Sequence, residues 1–276
     1  MNLKIYREYG ALNSVPVFDA FEKGATACGF KIVDSNEDIS VIWSVLWQGR
    51  MAKNQWVYNK AKELGRPVII IEVGTLIRGQ TWKISLNNIN ANGIFNFENL
   101  DIGRIDKLNV RLQPINVNPR PEILIALQHR QSLQWQGQPE MEQWANTTVA
   151  NLKLHTDRSI VVRPHPRNPI RKPIIGAQVE MPKQIPGTYD SFNIDYNFHC
   201  VVNYNSGPAV QAVIAGTPII CDQSSLAYEM SGKISAIENI KLPDRTQWFL
   251  KLCHTEWTID EIASGLPIDR LRDKIS

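Results

Sequence analysis

Two short stretches hold most of the side chains whose type and spacing suit chemistry. In "SIVVRPHPRNP", residues 159–169, an apolar run ends in Arg163, His165 and Arg167, interleaved with Pro164, Pro166 and Pro169. The prolines stiffen the loop and hold alternate side chains in extended geometry. Two guanidiniums and an imidazole there suit a diphosphate, because Arg presents paired donors to phosphate oxygens. The plainer reading is a solvated basic loop with prolines for rigidity. In "VVNYNSGPAVQAVIAGTPIIC", residues 201–221, a strand delivers the chain to Asn205, Ser206 and Gly207. A helix is expected to begin near Pro208, a favoured first helical residue. Its unpaired N–H groups and partial positive charge make a seat for phosphate. Gly207 lets an anion approach the backbone, and Ser206 adds a hydroxyl. The alternative is that Ser206 merely caps a crossover helix.

Positioning these residues takes strands that end beside one another. "LKIY", "ISVIWSVLW" and "RPVIIIEVG" read as strands. Between them lie a helix built on Val17, Phe18, Phe21 and Ala25, closed by Gly29, and a second helix in "MAKNQWVYNKAKELG". Continuously apolar strands alternating with helices imply a parallel sheet covered on both faces. Residues 83–120 are Asn-rich and read as loop. The pattern then restarts with "EILIAL", the helix "EMEQWANTTVANLKLH" and "SIVVRP". A weak segment at 173–190 follows, then "DYNFHCVVNY", the helix at 208–215 and "TPIIC". The tail from "DRTQWFLKLCHTEWTIDEIASGL" reads as helical. We expect α/β architecture with two Rossmann-like domains facing a central cleft, 1–118 and 119–276, with the boundary near 115–122. Ligands of such sheets bind at the carboxyl ends of the strands.

Bulk composition narrows the class. The 276 residues are 43% hydrophobic and 21% charged, with a net charge of +3, which permits an anionic partner without demanding one. Four cysteines (Cys28, Cys200, Cys221 and Cys253) lie far apart, with no zinc-like spacing. All but Cys28 sit in or beside apolar runs, which reads as buried reduced thiols in a reducing cytosol. No stretch approaches transmembrane length and the N-terminus lacks a signal-peptide core, so a cytoplasmic location is expected, the host's cytoplasm for a viral protein.

"RPHPRNP" followed by "NYNSGPAVQAVIAGTPIIC" resembles the donor-binding half of two-domain glycosyltransferases of the GT-B type, in particular the capsular-polysaccharide transferases of the Kdo class. Their pattern runs strand, Lys/Arg-Pro-His-Pro, Asn-Ser, a small-residue helix with an acid, then Gly-x-Pro-Val. "ILIALQHRQSLQW" is similar to the Leu-Gln segment that opens the second domain there. The resemblance covers residues 122–230 and implies a nucleotide-sugar donor. His165, with Arg163 and Arg167, would face its phosphates; Ser206 and Gly207 would meet the diphosphate; Gln128 would lie at the end of the first strand of the second domain. Gln211 stands where the family often has Glu, and an amide can hydrogen-bond a hydroxyl but not act as a base. Glu229 falls about where many GT-B enzymes hold ribose hydroxyls, or is an exposed helix acid.

The same resemblance implies an acceptor-side base from the first domain, because a hydroxyl nucleophile must lose its proton as it attacks the anomeric carbon. Asp19, in the first turns of the first helix, is preferred over Glu72 at the end of the "VIII" strand. The plainer readings are a helix-start acid and a partner for Arg78. Trp43, Trp47, Arg50, Lys53, Trp56, Arg78, Trp82 and Lys83 interleave aromatics with cations, a mix that stacks on sugars or bases and holds phosphates. Trp43 and Trp56 are expected in the core, leaving Trp47, Arg50, Arg78 and Trp82 for the acceptor. Size, mild basicity and this mix look like bacteriophage DNA glycosyltransferases, which move a sugar from a nucleotide donor to hydroxymethylated pyrimidines. The resemblance implies a UDP-sugar as substrate, UDP-glucose favoured, no required cofactor or metal, and double-stranded DNA as a possible partner. A saccharide acceptor and a non-catalytic nucleotide-binding module stay open. No GxGxxG follows any strand, which disfavours a dinucleotide oxidoreductase.

Overall fold

The computed structural model describes residues 1–188 and 192–275; positions 189 and 190 of the weak segment lie outside the described residues. The chain divides into two compact units, Met1–Val110 with Leu250–Ser276, and Arg111–Phe249.

The first unit is built on a six-stranded sheet. Its parallel part holds β1 (Asn2–Ile5), β2 (Lys31–Ile32), β3 (Ile39–Trp43) and β4 (Val68–Val73). Helix α1 (Val15–Ala27) buries Val17, Phe18, Phe21 and Ala25 against it and stops at Gly29, whose φ of +84° an L side chain rarely adopts. Helix α2 (Asn54–Glu63) follows a 3-10 turn at Gly49–Lys53 and buries Val57, Tyr58 and Ala61.

The apolar run "ISVIWSVLW" predicts one strand throughout, but β3 is shorter. It ends at Trp43 because Ser44 takes φ +64°, a left-handed turn incompatible with extended chain. A further strand, β5 (Thr81–Leu86), lies partly inside the segment read as loop and pairs antiparallel with β4, so the sheet is mixed. Helix α3 (Arg104–Lys107) is the one helical turn of that Asn-rich region among the described residues.

The second unit is an all-parallel five-stranded sheet with a small hairpin. Its strands are β6 (Arg120–Ala126), β7 (Ile160–Arg163), β8 (Gln178–Val179), β11 (Phe198–Asn203) and β12 (Ile219–Ile220), in the order β12-β11-β6-β7-β8. The hairpin is β9 (Lys183–Gln184) with β10 (Phe192–Asn193). Helix α4 (Met141–Lys153) packs Met141, Ala145, Val149 and Leu152 on one face. Helix α5 (Gly207–Ile214) buries Ala209, Val210, Ala212 and Val213.

The tail corrects two expectations. It was read as helical and as part of a domain running from 119 to 276. Helix α6 (Thr246–Cys253) is followed instead by a strand, β13 (Glu256–Thr258), that adds to the edge of the first sheet beside β5, with Glu256 opposite Lys83 and Trp257 opposite Trp82. Helices α7 (Ile259–Ala263) and α8 (Leu266–Ile275) then complete the core under α1. A buried guanidinium fixes this docking. Arg104 donates to the Cys253 and Glu256 carbonyls, pairs with Glu261 and lies 4.1 Å over the Trp257 ring. Glu261 closes a capping box with Thr258, so the same carboxylate starts α7.

Candidate functional site

In the second unit the chain enters at β6, builds outward through β7 and β8, and returns to place β11 on the other side of β6. The strand order therefore reverses between β6 and β11, the place where open α/β sheets hold ligands beyond the strand ends. Asn203, 1% exposed, ties those two ends together. Its Nδ2 donates to the Ala126 carbonyl at 2.8 Å, and its Oδ1 accepts from the Ser206 amide at 2.8 Å, which folds the bend.

The bend is braced on both flanks. The Asn205 amide donates to Gln128 Oε1 at 3.3 Å on the β6 side. On the β12 side its Nδ2 donates to Ser224 Oγ at 2.8 Å, which in turn donates to Asp222 at 2.5 Å. Helix α5 starts at the end of this bend with Pro208 in its first turn. Ser206 stands at the cap position, yet its side chain makes no capping bond; the hydroxyl is turned to Asn203 instead. Ser206 and Gly207 are half-buried. Two polar atoms here have no hydrogen-bond partner although buried: Gln128 Nε2 and Asn205 Oδ1.

The His165 loop lies at the end of the neighbouring strand β7. His165 Nδ1 accepts from the Arg167 amide at 3.1 Å, and the His165 carbonyl accepts from the Asn168 amide at 2.8 Å. His129, three residues beyond β6, repeats the first of these turns, its Nδ1 accepting from the Gln131 amide at 3.1 Å. The two rings meet edge to face at 5.2 Å. With both Nδ1 atoms accepting, each neutral ring carries its proton on Nε2. Burial, with the Arg130 charge adding, holds the His129 pKa below the usual histidine range. Arg130 ties the two loops together. It donates to Asn168 Oδ1 at 2.8 Å and pairs at 3.0 Å with Glu142 in the first turn of α4.

The other expected donor residues fall in different settings. Arg163 is buried, with one guanidinium nitrogen donating to the Asp195 carbonyl at 2.6 Å and another paired with Glu180 at 2.6 Å; its plane lies 5.4 Å from the Phe198 ring. Arg167 is exposed on the loop. Gln211 accepts from the Tyr196 hydroxyl at 2.8 Å, and burial keeps Tyr196 a phenol. Glu229 is exposed in a 3-10 turn, Tyr228–Met230. The structure thus brings together Gln128, His165, Ser206 and Gly207 at adjoining strand ends. It gives Asn205, expected only as part of the bend, a polar side chain in the site, and adds Asn203, His129 and Ser224, which sequence reasoning missed. The matched "QHR" and "PHPR" turns after consecutive strands were the available signal for His129.

In the first unit, Asp19 is 63% exposed on α1 and pairs with Arg7 at 2.7 Å, while Arg7 also reaches Glu22 at 2.5 Å. Glu72 stands at the end of β4 and accepts from Ser44 Oγ at 2.6 Å. Opposite it in the sheet is Lys83, and opposite Lys83 is Glu256, a charged row across three strands. Burial drives the Lys83 pKa down while Glu256 and Glu72 pull it back up. Glu256, fully buried, accepts from the Thr75 and Leu76 amides at 2.6 and 2.9 Å and from Thr81 Oγ1 at 2.8 Å, which fixes the loop that carries Arg78. Gly74 is required there, since a Cβ would lie 2.3 Å from the Thr81 carbonyl.

The tryptophans divide differently from expectation. Trp43 is core, but Trp56 is 57% exposed because it lies on the outer face of α2 with Lys60 4.9 Å over its ring. Trp47 is buried beside Tyr58, and Trp82 is packed partly against the core. Arg50 and Arg78 are exposed.

All four cysteines are free, and burial raises their thiol pKa values, that of Cys221 to about 11. Among the described residues no three His, Cys, Asp or Glu side chains group to hold a metal ion. No described helix is long and apolar enough to cross a membrane.

No family model and no curated protein matches this chain. Among solved structures it is similar to a KpsC of Thermosulfurimonas dismutans described as a beta Kdo 2,7 transferase. The TM-score is 0.52 at 14% identity, covering 98% of this chain and 99% of that one. A KpsC of the same organism described as a beta Kdo 2,4 transferase gives 0.48 at 12% identity, covering 97% and 98%. The first of these likenesses shows the fold, a mixed α/β architecture of the GT-B type.

Proposed function

We propose that this protein is a glycosyltransferase whose nucleotide-sugar donor, UDP-glucose in the first instance, binds at the strand ends of the second unit. The observation that carries this reading is the bend at Asn203–Gly207. It lies at the strand reversal, leads into α5 without a side-chain cap, and faces buried amide groups that lack partners. Backbone N–H groups at a helix start suit a diphosphate. His165, its proton on Nε2, and exposed Arg167 supply further donors, while Arg163 at the end of β7 is spent on bonds to Asp195 and Glu180.

Transfer is a single displacement with inversion. Asp19 takes the proton of the acceptor hydroxyl as its oxygen bonds to the anomeric carbon. The bond from that carbon to the phosphate oxygen breaks, and the electron pair leaves with the nucleoside diphosphate. The negative charge that grows on this leaving group is met by the α5 amides and His165, so no metal is called for. Glu72, held by Ser44, is the alternative base.

For the acceptor we propose the hydroxymethyl group of a modified pyrimidine in DNA. The exposed Trp56–Lys60 pair and the basic turn with Arg50 and Lys53 support it, as a face suited to phosphates and rings. A base inside a duplex must be flipped out to be reached.

The test pairs UDP-glucose with duplexes carrying 5-hydroxymethylcytosine, 5-hydroxymethyluracil or unmodified bases, and follows UDP release and DNA mass. Release that depends on the hydroxymethyl group, with a matching mass gain, is the expected result. Slow release that no duplex accelerates moves the acceptor to a saccharide. No release from any nucleotide sugar, with binding retained, leaves a non-catalytic nucleotide-binding module.

A further inference from the structure

Within the strand-end site two neutral side chains stand apart from the anion-binding groups. Gln128, 4% exposed, spends its Oε1 on the Asn205 amide, and its Nε2 has no partner. Asn205, 6% exposed, spends its Nδ2 on Ser224, and its Oδ1 has no partner. One is an unused donor, the other an unused acceptor, and the 3.3 Å bond from the Asn205 backbone N–H to the Gln128 carboxamide makes the two residues neighbours at the bend. An unpaired buried polar group is costly to keep, so two on directly bonded residues at the strand reversal point to a ligand group that answers both.

Phosphate does not fit, because the Asn205 carbonyl oxygen repels it. An ammonium does not fit, because it cannot accept from Gln128. A hydroxyl fits: its oxygen accepts from Nε2–H and its proton is donated to Oδ1. Both atoms are shut off from bulk solvent, so the group that pairs with them gives up its own water.

We infer that Gln128 and Asn205 form the seat for one neutral hydroxyl of the sugar nucleotide, read separately from its phosphates. The inference rests on the nucleotide-sugar reading above. It makes Asn205, which the sequence marked only as part of the bend, a specificity residue. The hydroxyl belongs either to the ribose or to the transferred sugar, and the experiment separates them.

Binding of inorganic pyrophosphate, UDP, 2′-deoxy-UDP and UDP-glucose is measured calorimetrically for the wild type, Asn205→Ala and Gln128→Leu. Loss of one hydrogen bond to a neutral hydroxyl lowers affinity roughly five- to tenfold. The expected result is that loss for UDP-glucose in both variants, with pyrophosphate bound as in the wild type, which also shows that the fold and the anion seat survive. If UDP shows the same loss and 2′-deoxy-UDP shows none, the hydroxyl is on the ribose; if only UDP-glucose shows it, the hydroxyl is on the sugar. Variants that bind every nucleotide as the wild type does overturn the inference and leave the nucleotide-sugar reading standing. A wild type that binds pyrophosphate but no nucleotide, or neither, overturns both.

Discussion

Arg163 offers a sharp test, because its sequence context points to a phosphate clamp and its surroundings make it a brace. Replacing it by Met keeps the aliphatic stem and removes the guanidinium. Two charge-assisted hydrogen bonds at 2.6 Å disappear, to the Asp195 carbonyl and to Glu180. Each such bond is worth about 1.5–3 kcal/mol when buried. Glu180 is 41% exposed, so water takes over part of its share and that half is discounted. The total comes to about 2–4 kcal/mol, or a fall in melting temperature of roughly 5–15 °C. Burial acts to raise the Glu180 pKa, but the Arg163 bond and charge, with Arg120 adding, outweigh it and hold the carboxyl below its usual value of 4.5. A depressed carboxylate pKa gives stability that is present above the unfolded value and lost as pH falls through the folded one. The gap between wild type and Arg163→Met, followed by urea denaturation, therefore narrows below pH 4.5. A variant that denatures like the wild type at neutral pH yet loses UDP-glucose binding would refute the brace and restore the clamp.

Further expectations concern both units. Arg104→Met should cost about 3–5 kcal/mol, since it leaves the half-buried Glu261 without its cation, and should expose the tail to proteolysis after Phe249; an unchanged melt and an intact tail would contradict the docking account. Asp19→Asn should lower turnover by about 10²–10⁴ with donor binding retained, whereas Glu72→Gln should keep most of its activity; the reverse pattern assigns the base to Glu72. His129 is neutral and buried, with a depressed pKa, so it adds stability above the ordinary histidine value of 6.5 that is lost as pH falls. Thermal melts at pH 7.5 and 5 should show a smaller acid loss for His129→Gln than for the wild type.

Much of this fold is legible in the sequence where apolar runs are continuous. The strands of "ISVIW", "VIII", "EILIA" and "IVVR" are buried through most of their length, and Gly29 closes α1 by the positive φ that only glycine takes easily. What escaped were elements that long-range pairing creates. Strand β5 reads "TWKISL", whose lysine and serine look like surface positions; Lys83 is buried only because Glu72 and Glu256 flank it from neighbouring strands. Strand β13 is three residues between helices, and its identity comes from β5 and from Arg104, more than 150 residues earlier in the sequence. The candidate site divides the same way. Charged and glycine positions announced themselves by type, while Asn203 and Asn205 look like ordinary turn residues until the strand ends they join are placed side by side.

The most direct measurement is hydrogen–deuterium exchange with and without saturating UDP-glucose. The account predicts slowed exchange in 126–131, 164–168 and 203–210, the segments that carry Gln128, His165 and the start of α5. Protection confined to other segments, or none with a donor shown by calorimetry to bind, would contradict it.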